Sequence, residues 1–132
     1  MGARDARAAT RVERPEAFHA AYVEAFNSGE VEPLLDLYEQ TGTLLDPTGQ
    51  PVSGHSAIES ALLQYQAVGE MTAETRWCIE AGDVALASAS WQITGTDPQG
   101  EPVVMEGRSA DLLRGQRDGR WLLVIDHPLG GQ

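Results

Sequence analysis

Residues 71–94, MTAETRWCIEAGDVALASASWQIT, decide how this chain folds. Met71, Ala73, Thr75, Trp77 and Ile79 alternate with Thr72, Glu74, Arg76 and Glu80, a period of two that predicts a strand with one apolar face. Ala81-Gly82-Asp83 then reads as a turn, and residues 84–94 as a second long strand. Two further turns, Asp97-Pro98-Gln99-Gly100 and Asp118-Gly119, bound a third strand over 103–113 and a fourth over 121–126.

Upstream of this meander the period is helical. Phe18, Ala21, Tyr22, Ala25 and Phe26 fall at i, i+3, i+4, i+7 and i+8 behind Pro15, and Asn27-Ser28-Gly29 ends that helix. Val31, Leu34, Leu35 and Tyr38 make a second apolar stripe, with Pro33 in its first turn. Leu44 and Leu45 mark a short strand running into Asp46-Pro47-Thr48-Gly49. Ser56-x-x-Glu59 has the spacing of a capping box and opens a third helix carrying Ile58, Ala61, Leu62 and Tyr65. Helices first and four antiparallel strands afterwards predict an α+β fold, a curved sheet wrapped around about three N-terminal helices.

Composition narrows the function. The 132 residues suit one domain, expected over 14–132 behind a disordered tail at 1–13. The net charge is −11, although four of nine arginines (Arg4, Arg7, Arg11, Arg14) lie in the first 14 residues, so the folded part is more acidic still. Such a surface repels phosphate backbones and anionic lipid, and neither nucleic acid nor membrane is expected as a partner. No lysine is present, which excludes Schiff-base chemistry and the Walker phosphate loop. A single cysteine, Cys78, excludes an internal disulfide and is expected as a buried structural thiol. No apolar run suits a bilayer or a secretory signal, so the chain reads as cytoplasmic. The three histidines show no ligand spacing; no metal and no cofactor are expected.

The run YVEAFNSGEVEPLLDLYEQTGTLLDPTG (22–49), the GHSAIE helix start (54–59) and the closing GRWLLVIDHP (119–128) resemble the nuclear transport factor 2-like superfamily, which includes ketosteroid isomerases, SnoaL-like polyketide cyclases and scytalone dehydratase. The resemblance spans residues 15 to 128 and implies a cone-shaped α+β barrel with a deep apolar pocket, in a homodimer. Within the superfamily, YVEAFNSGE and TLLDPTG are similar to the ketosteroid isomerase segments that supply a tyrosine donor and an aspartate base. Carried over, these are Tyr22 and Asp46, 24 positions apart. The protonated aspartic acid of that site falls on Asp111, counted back from Gly119 in SADLLRGQRDGR. Enolisation needs a base near the C–H and donors at the developing oxyanion, and these residue types fit.

Each candidate also has a plainer reading. Tyr22 is equally a core aromatic, Asp46 a turn former before Pro47, and Asp111 a strand-end or interface carboxylate. Strand parity places Asp111 with Val103, Met105 and Leu113 on an apolar face, away from Glu106, Arg108 and Arg114. Phe18, Phe26, Tyr38, Leu44, Trp77, Trp91, Met105 and His127 are expected to line the pocket, although pocket and subunit interface stay undecided for the two tryptophans. His127 is expected on the face of Trp121, Leu123 and Ile125; His19 is expected on the exposed flank of the first helix, and His55 at the third helix start as a local cap or in solvent. Two functions follow: a cofactor-independent acid–base enzyme of isomerase or cyclase type acting on a small apolar carbonyl compound, or a binding protein for an apolar metabolite such as a polyketide or polyene. A purely structural association domain is a third.

Overall fold

A computed structural model describes residues 11–132. The expectation of a disordered tail therefore lies outside the described residues up to position 10. Residues 11–13 do not extend that tail: Val12 is buried and its carbonyl accepts the Trp121 N–H at 2.9 Å, while Arg11 donates to the Asp118 carbonyl.

A single 3-10 turn, Pro15–Ala17, leads into helix α1 (Phe18–Asn27). The end of α1 is fastened to the sheet by Asn27, whose side-chain amide donates to the Met71 carbonyl and accepts the Met71 N–H, both at 2.8 Å. Helix α2 (Glu32–Leu35) is one turn, shorter than the apolar stripe predicts. The chain leaves it because Leu37 and Tyr38 join the sheet: the Leu37 carbonyl accepts the Leu123 N–H, and Tyr38 opens strand β1 (Tyr38–Leu45). β2 (Pro51–Ser53) returns along β1 as a short hairpin. Helix α3 (His55–Gln66) starts one residue before Ser56, with Gly54 at the N-cap at φ +85°, a left-handed value that favours glycine. Ser56 is thus inside the helix, and the expected capping box does not form.

Five strands follow: β3 (Glu70–Ala81), β4 (Val84–Thr96), β5 (Pro102–Arg108), β6 (Ala110–Gly115) and β7 (Trp121–His127). The order across the sheet is β2-β1-β7-β6-β4-β3, with β5 also on β4. The expected third strand is thus two pieces on the same edge of β4, interrupted at Ser109, whose hydroxyl accepts the Ala89 N–H at 3.0 Å in place of a ladder bond. The sheet is curved and mixed rather than wholly antiparallel, because β1 lies parallel to β7. Its concave face holds α1 and α3, and Phe18, Leu44, Ile58, Leu62 and Ile93 are all at most 1% exposed. Each such side chain stabilises the fold by about 1.5–3 kcal/mol relative to an exposed one.

Two bulges set which side chains face that core. In β3 the register passes from Thr75↔Ala89 to Trp77↔Ser88, leaving Arg76 unpaired. In β7 it passes from Leu123↔Leu113 to Ile125↔Leu112, leaving Val124 unpaired. An extra residue reverses the facing of everything beyond it. Trp77 and Ile79 accordingly leave the face of Met71 and Ala73, and Ile125 leaves that of Leu123. Half-buried Cys78 turns toward the core instead.

Candidate functional site

The concave side of the sheet and α1 enclose a cavity of about 50 Å³. Phe18, Tyr22 and Phe26 reach it from one stripe of α1, Met71 and Ala73 from β3, Ala89, Trp91 and Ile93 from β4, and Leu44 from β1. Into this apolar enclosure project His19, Tyr22, Ser109, Asp111 and Asp126. An adjoining outer compartment of about 120 Å³ shares Tyr65, Trp91 and Pro128 with the inner one and adds Asp46, Met105, His127 and Leu129.

The polar groups of the inner cavity form one chain. Tyr22 and Tyr38 share a hydrogen bond between their hydroxyls at 2.9 Å, and Tyr38 donates to Asp126 Oδ2 at 2.5 Å. Tyr22 lies 3.4 Å from the same oxygen. Asp126 is the cross-strand partner of Asp111, and the two carboxyls hydrogen-bond each other. Asp111 Oδ2 accepts the Ser109 hydroxyl at 2.6 Å and meets His19 Nε2 at 2.8 Å. His19 Nδ1 in turn meets the Thr75 hydroxyl at 2.9 Å.

Desolvation dominates the electrostatics. Burial pushes Asp111 up to about 6, against the hydrogen bonds of Ser109 and Asp126. It raises Asp126 well above the ordinary carboxylate range, and the Asp111 charge adds to the effect. The two form a coupled dyad in which Asp126 holds the proton and Asp111 carries the charge near neutral pH. Burial and the Asp126 charge hold the Tyr22 and Tyr38 phenols above their usual value, so both stay protonated donors. Burial lowers His19, whose imidazole is therefore neutral. Among the described residues no group of three or more His, Cys, Asp and Glu is arranged to hold a metal ion.

Of the residues singled out from sequence, Tyr22, Asp111, Phe18, Phe26, Leu44 and Trp91 line the inner cavity. Tyr38 stands behind the wall, reaching the site through its hydroxyl. Met105 and His127 line the outer compartment, and His127 Nδ1 is buried without a hydrogen-bond partner. Trp77 lines neither compartment, since the Arg76 bulge turns it to the outer face of the sheet. His19, expected on an exposed flank, is only 8% exposed because α1 lays that side on β3. His55, expected as a local cap or in solvent, instead donates its Nε2–H to the Tyr38 carbonyl at 2.9 Å and ties the start of α3 to β1.

Asp46 does not join the inner group. Its Oδ1 accepts from the Thr48 and Gln50 N–H groups and from the Thr48 hydroxyl, which hold the carboxyl below its usual range. A second copy of the same loop supplies an internal control. Asp97-Pro98-Gln99-Gly100 makes the same pair of backbone bonds to Asp97 Oδ1, with the same Gly N–H to Asp carbonyl bond at 2.8 Å, yet Asp97 lines neither compartment. Asp46 therefore does what Asp-Pro-x-Gly does elsewhere in this chain, with the outer compartment beside it. Asp126 was not singled out from sequence. Its signal is a carboxylate closing the apolar run WLLVID with no arginine in that strand.

The model of the SnoaL-like domain matches residues 19–124. Solved structures share the fold at low identity. A ketosteroid isomerase-like protein from Erwinia carotovora atroseptica SCRI1043 is 23% identical, with a TM-score of 0.70 over 85% of this chain and 89% of that one. A putative calcium/calmodulin dependent protein kinase II association domain from Xanthomonas campestris is 21% identical, with a TM-score of 0.71 over 84% and 81%. A putative dehydratase from the NTF2-like family of Streptomyces avermitilis is 18% identical, with a TM-score of 0.67 over 83% and 88%. No curated protein matches the sequence. The chain belongs to the SnoaL-like domain family, on the nuclear transport factor 2-like fold.

Proposed function

We propose that this SnoaL-like domain is a cofactor-independent acid–base enzyme that moves a proton on a small, largely apolar compound bearing a carbonyl or hydroxyl oxygen. The observation that carries the reading is the buried chain Tyr22, Tyr38, Asp126, Asp111, His19 at the wall of an apolar cavity. Two carboxyls, two phenols and an imidazole cost desolvation energy that apolar side chains of similar volume would not. Perturbed titratable groups gathered in one cleft are the usual mark of a reactive site. In the mechanism Tyr22, the phenol that lines the cavity, orients the substrate oxygen. Asp111, ionised near neutral pH, accepts the proton, and neutral Asp126 donates where negative charge develops. Asp46, lining the outer compartment, is left the role of a wall. The two adjoining compartments together, about 50 and 120 Å³, favour a single-ring or branched compound over a four-ring steroid.

A single-ring β,γ-unsaturated ketone tests this. Wild type is expected to raise the conjugated-enone absorbance, and to exchange α-protons of cyclohexanone in heavy water, with both rates lost in the Asp111→Asn, Asp126→Asn double variant. Equal rates in the two proteins overturn the proposal. The engagement of Asp46 in its own turn favours the alternative of a binding protein, which retains such a ketone and converts none of it.

The outer face of the sheet supports a homodimer. Ile79, Leu86, Leu112 and Ile125 are direct cross-strand partners in one row, and three of them are exposed at 59, 42 and 42% for Ile79, Leu86 and Ile125. A contiguous apolar row of this kind marks an association surface, and a self-complementary sheet face suits a second copy.

A further inference from the structure

We propose that His19 and Thr75 form a proton outlet through the wall of the cone, by which Asp111 exchanges its proton with solvent without passing it through the cavity, each exchange swapping the His19 tautomer. The inference rests on the reading of Asp111 as the proton-accepting group. Geometry carries it. His19 bridges Asp111 on β6 and Thr75 on β3 with contacts of 2.8 and 2.9 Å, so both ring nitrogens are engaged along one line. Asp111 is 4% exposed and His19 8%, whereas Thr75 is an exposed residue that lines neither compartment. The line therefore begins at the buried dyad and ends at water, on a wall that the ligand does not occupy.

The protons balance without any heavy atom moving. With Asp111 ionised, its Oδ2 accepts Nε2–H, and Nδ1 accepts the Thr75 hydroxyl proton. A solvent proton arriving on Thr75 Oγ sends the former hydroxyl proton to Nδ1, and Nε2–H passes to Asp111 Oδ2. Afterwards Asp111 O–H donates to Nε2, and Nδ1–H donates to Thr75 Oγ, whose remaining hydroxyl proton faces water. One proton has entered, one carboxylate is neutralised, and the imidazole has gone from the Nε2–H to the Nδ1–H form. The reverse order expels the proton that Asp111 takes from a substrate.

The groups around His19 favour tautomer exchange over a charged imidazole. Asp111 and Asp126 face it from β6 and β7, and Tyr22 follows one turn later on α1. Burial, the largest effect, lowers the basicity of His19, and Asp126, whose charge would raise it, holds its proton in this range. Arg76, next to Thr75, sends its Nη1 to the Ser88 hydroxyl and the Gly131 carbonyl instead.

Nitrogen-15 NMR of the imidazoles in the full chain tests the proposal without a substrate. Across the pH range in which the Asp111 carboxyl carbon titrates, His19 is expected to change from Nδ1–H at low pH to Nε2–H at high pH, with the same midpoint. Thr75→Val should slow exchange between the two forms on the order of a hundredfold, the low end of what a positioned proton relay contributes. Thr75→Ser should leave it unchanged. A doubly protonated His19 in that range, one tautomer throughout, or an unaltered rate in Thr75→Val overturns the outlet. Failure of the ketone assay leaves these readouts standing, and a fixed tautomer leaves the acid–base reading standing, so the two fail separately.

Discussion

Replacing Asp111 by asparagine should make the protein relatively more stable as pH rises, and the size of the effect follows from its burial. The folded-state value is pushed up to about 6 from an ordinary 3.8. Between those values the folded protein holds a proton that the unfolded chain has released. The contribution of Asp111 is therefore fully present below about pH 4 and is lost as pH rises through about 6. Integrated from about pH 4 to 7, the loss is about 2 to 3 kcal/mol. Asparagine does not titrate, so Asp111→Asn lacks this slope. Asp118 and Glu39, whose shifts run the opposite way, are present in both proteins and cancel in the difference. Burial, the larger cause, raises Asp126 in both proteins, so its own slope cancels to first order. Urea denaturation followed by circular dichroism at stepped pH gives the comparison, with unchanged m-values as the check that the unfolded ensembles match. The stability of the variant relative to wild type should climb by about 2 to 3 kcal/mol from about pH 4 to 7. A flat difference would mean that Asp111 titrates as an exposed aspartate does, and the desolvation argument for the site would fall with it.

If the Asp-Pro-x-Gly loops are equivalent, Asp46→Asn and Asp97→Asn should lower the melting temperature by similar amounts, and Asp46→Asn should leave the ketone rates near wild type; a rate loss confined to Asp46→Asn restores that residue as the base. Leu86→Arg, in the middle of the apolar row, should turn a dimer into a folded monomer in analytical ultracentrifugation with its far-UV circular dichroism unchanged. A wild-type monomer, or an unperturbed Leu86→Arg dimer, refutes the interface.

What the sequence carried in plain view was periodicity. The α1 stripe of Phe18, Tyr22 and Phe26, the long meander and the apolar inner face of β4 were legible because helix and strand periods repeat over many residues. The placement of Asp111 on the inner face was legible too, because β6 keeps its alternation up to Leu113. What could not be counted was where alternation breaks. Trp77-Cys78-Ile79 and Leu122-Leu123-Val124-Ile125 are apolar at every position, so the parity of either run has no local marker. The one-turn α2 ends where Leu37 and Tyr38 meet β7, a partner distant in sequence. His19 was hidden for a related reason: one histidine beside Phe18 says nothing of which β3 side chain it meets until α1 is docked.

The Val124 bulge ties the two proposed activities of the molecule to one irregularity of the backbone. With unbroken alternation from the buried Leu123, Ile125 would point into the cone and Asp126 out of it. The extra residue reverses this, so that Asp126 is 7% exposed and meets Asp111 and Tyr38, while Ile125 is 42% exposed and completes the outer apolar row. A carboxyl turned outward would be solvated and would titrate as an ordinary aspartate; turned inward, it loses water and keeps its proton. Bulges recur where a strand must re-aim a side chain at a site. Here the same shift that builds the carboxyl dyad also lays Ile125 beside Leu112 and Leu86, so the backbone of β7 couples the geometry of the cavity to that of the face on which a second copy would rest.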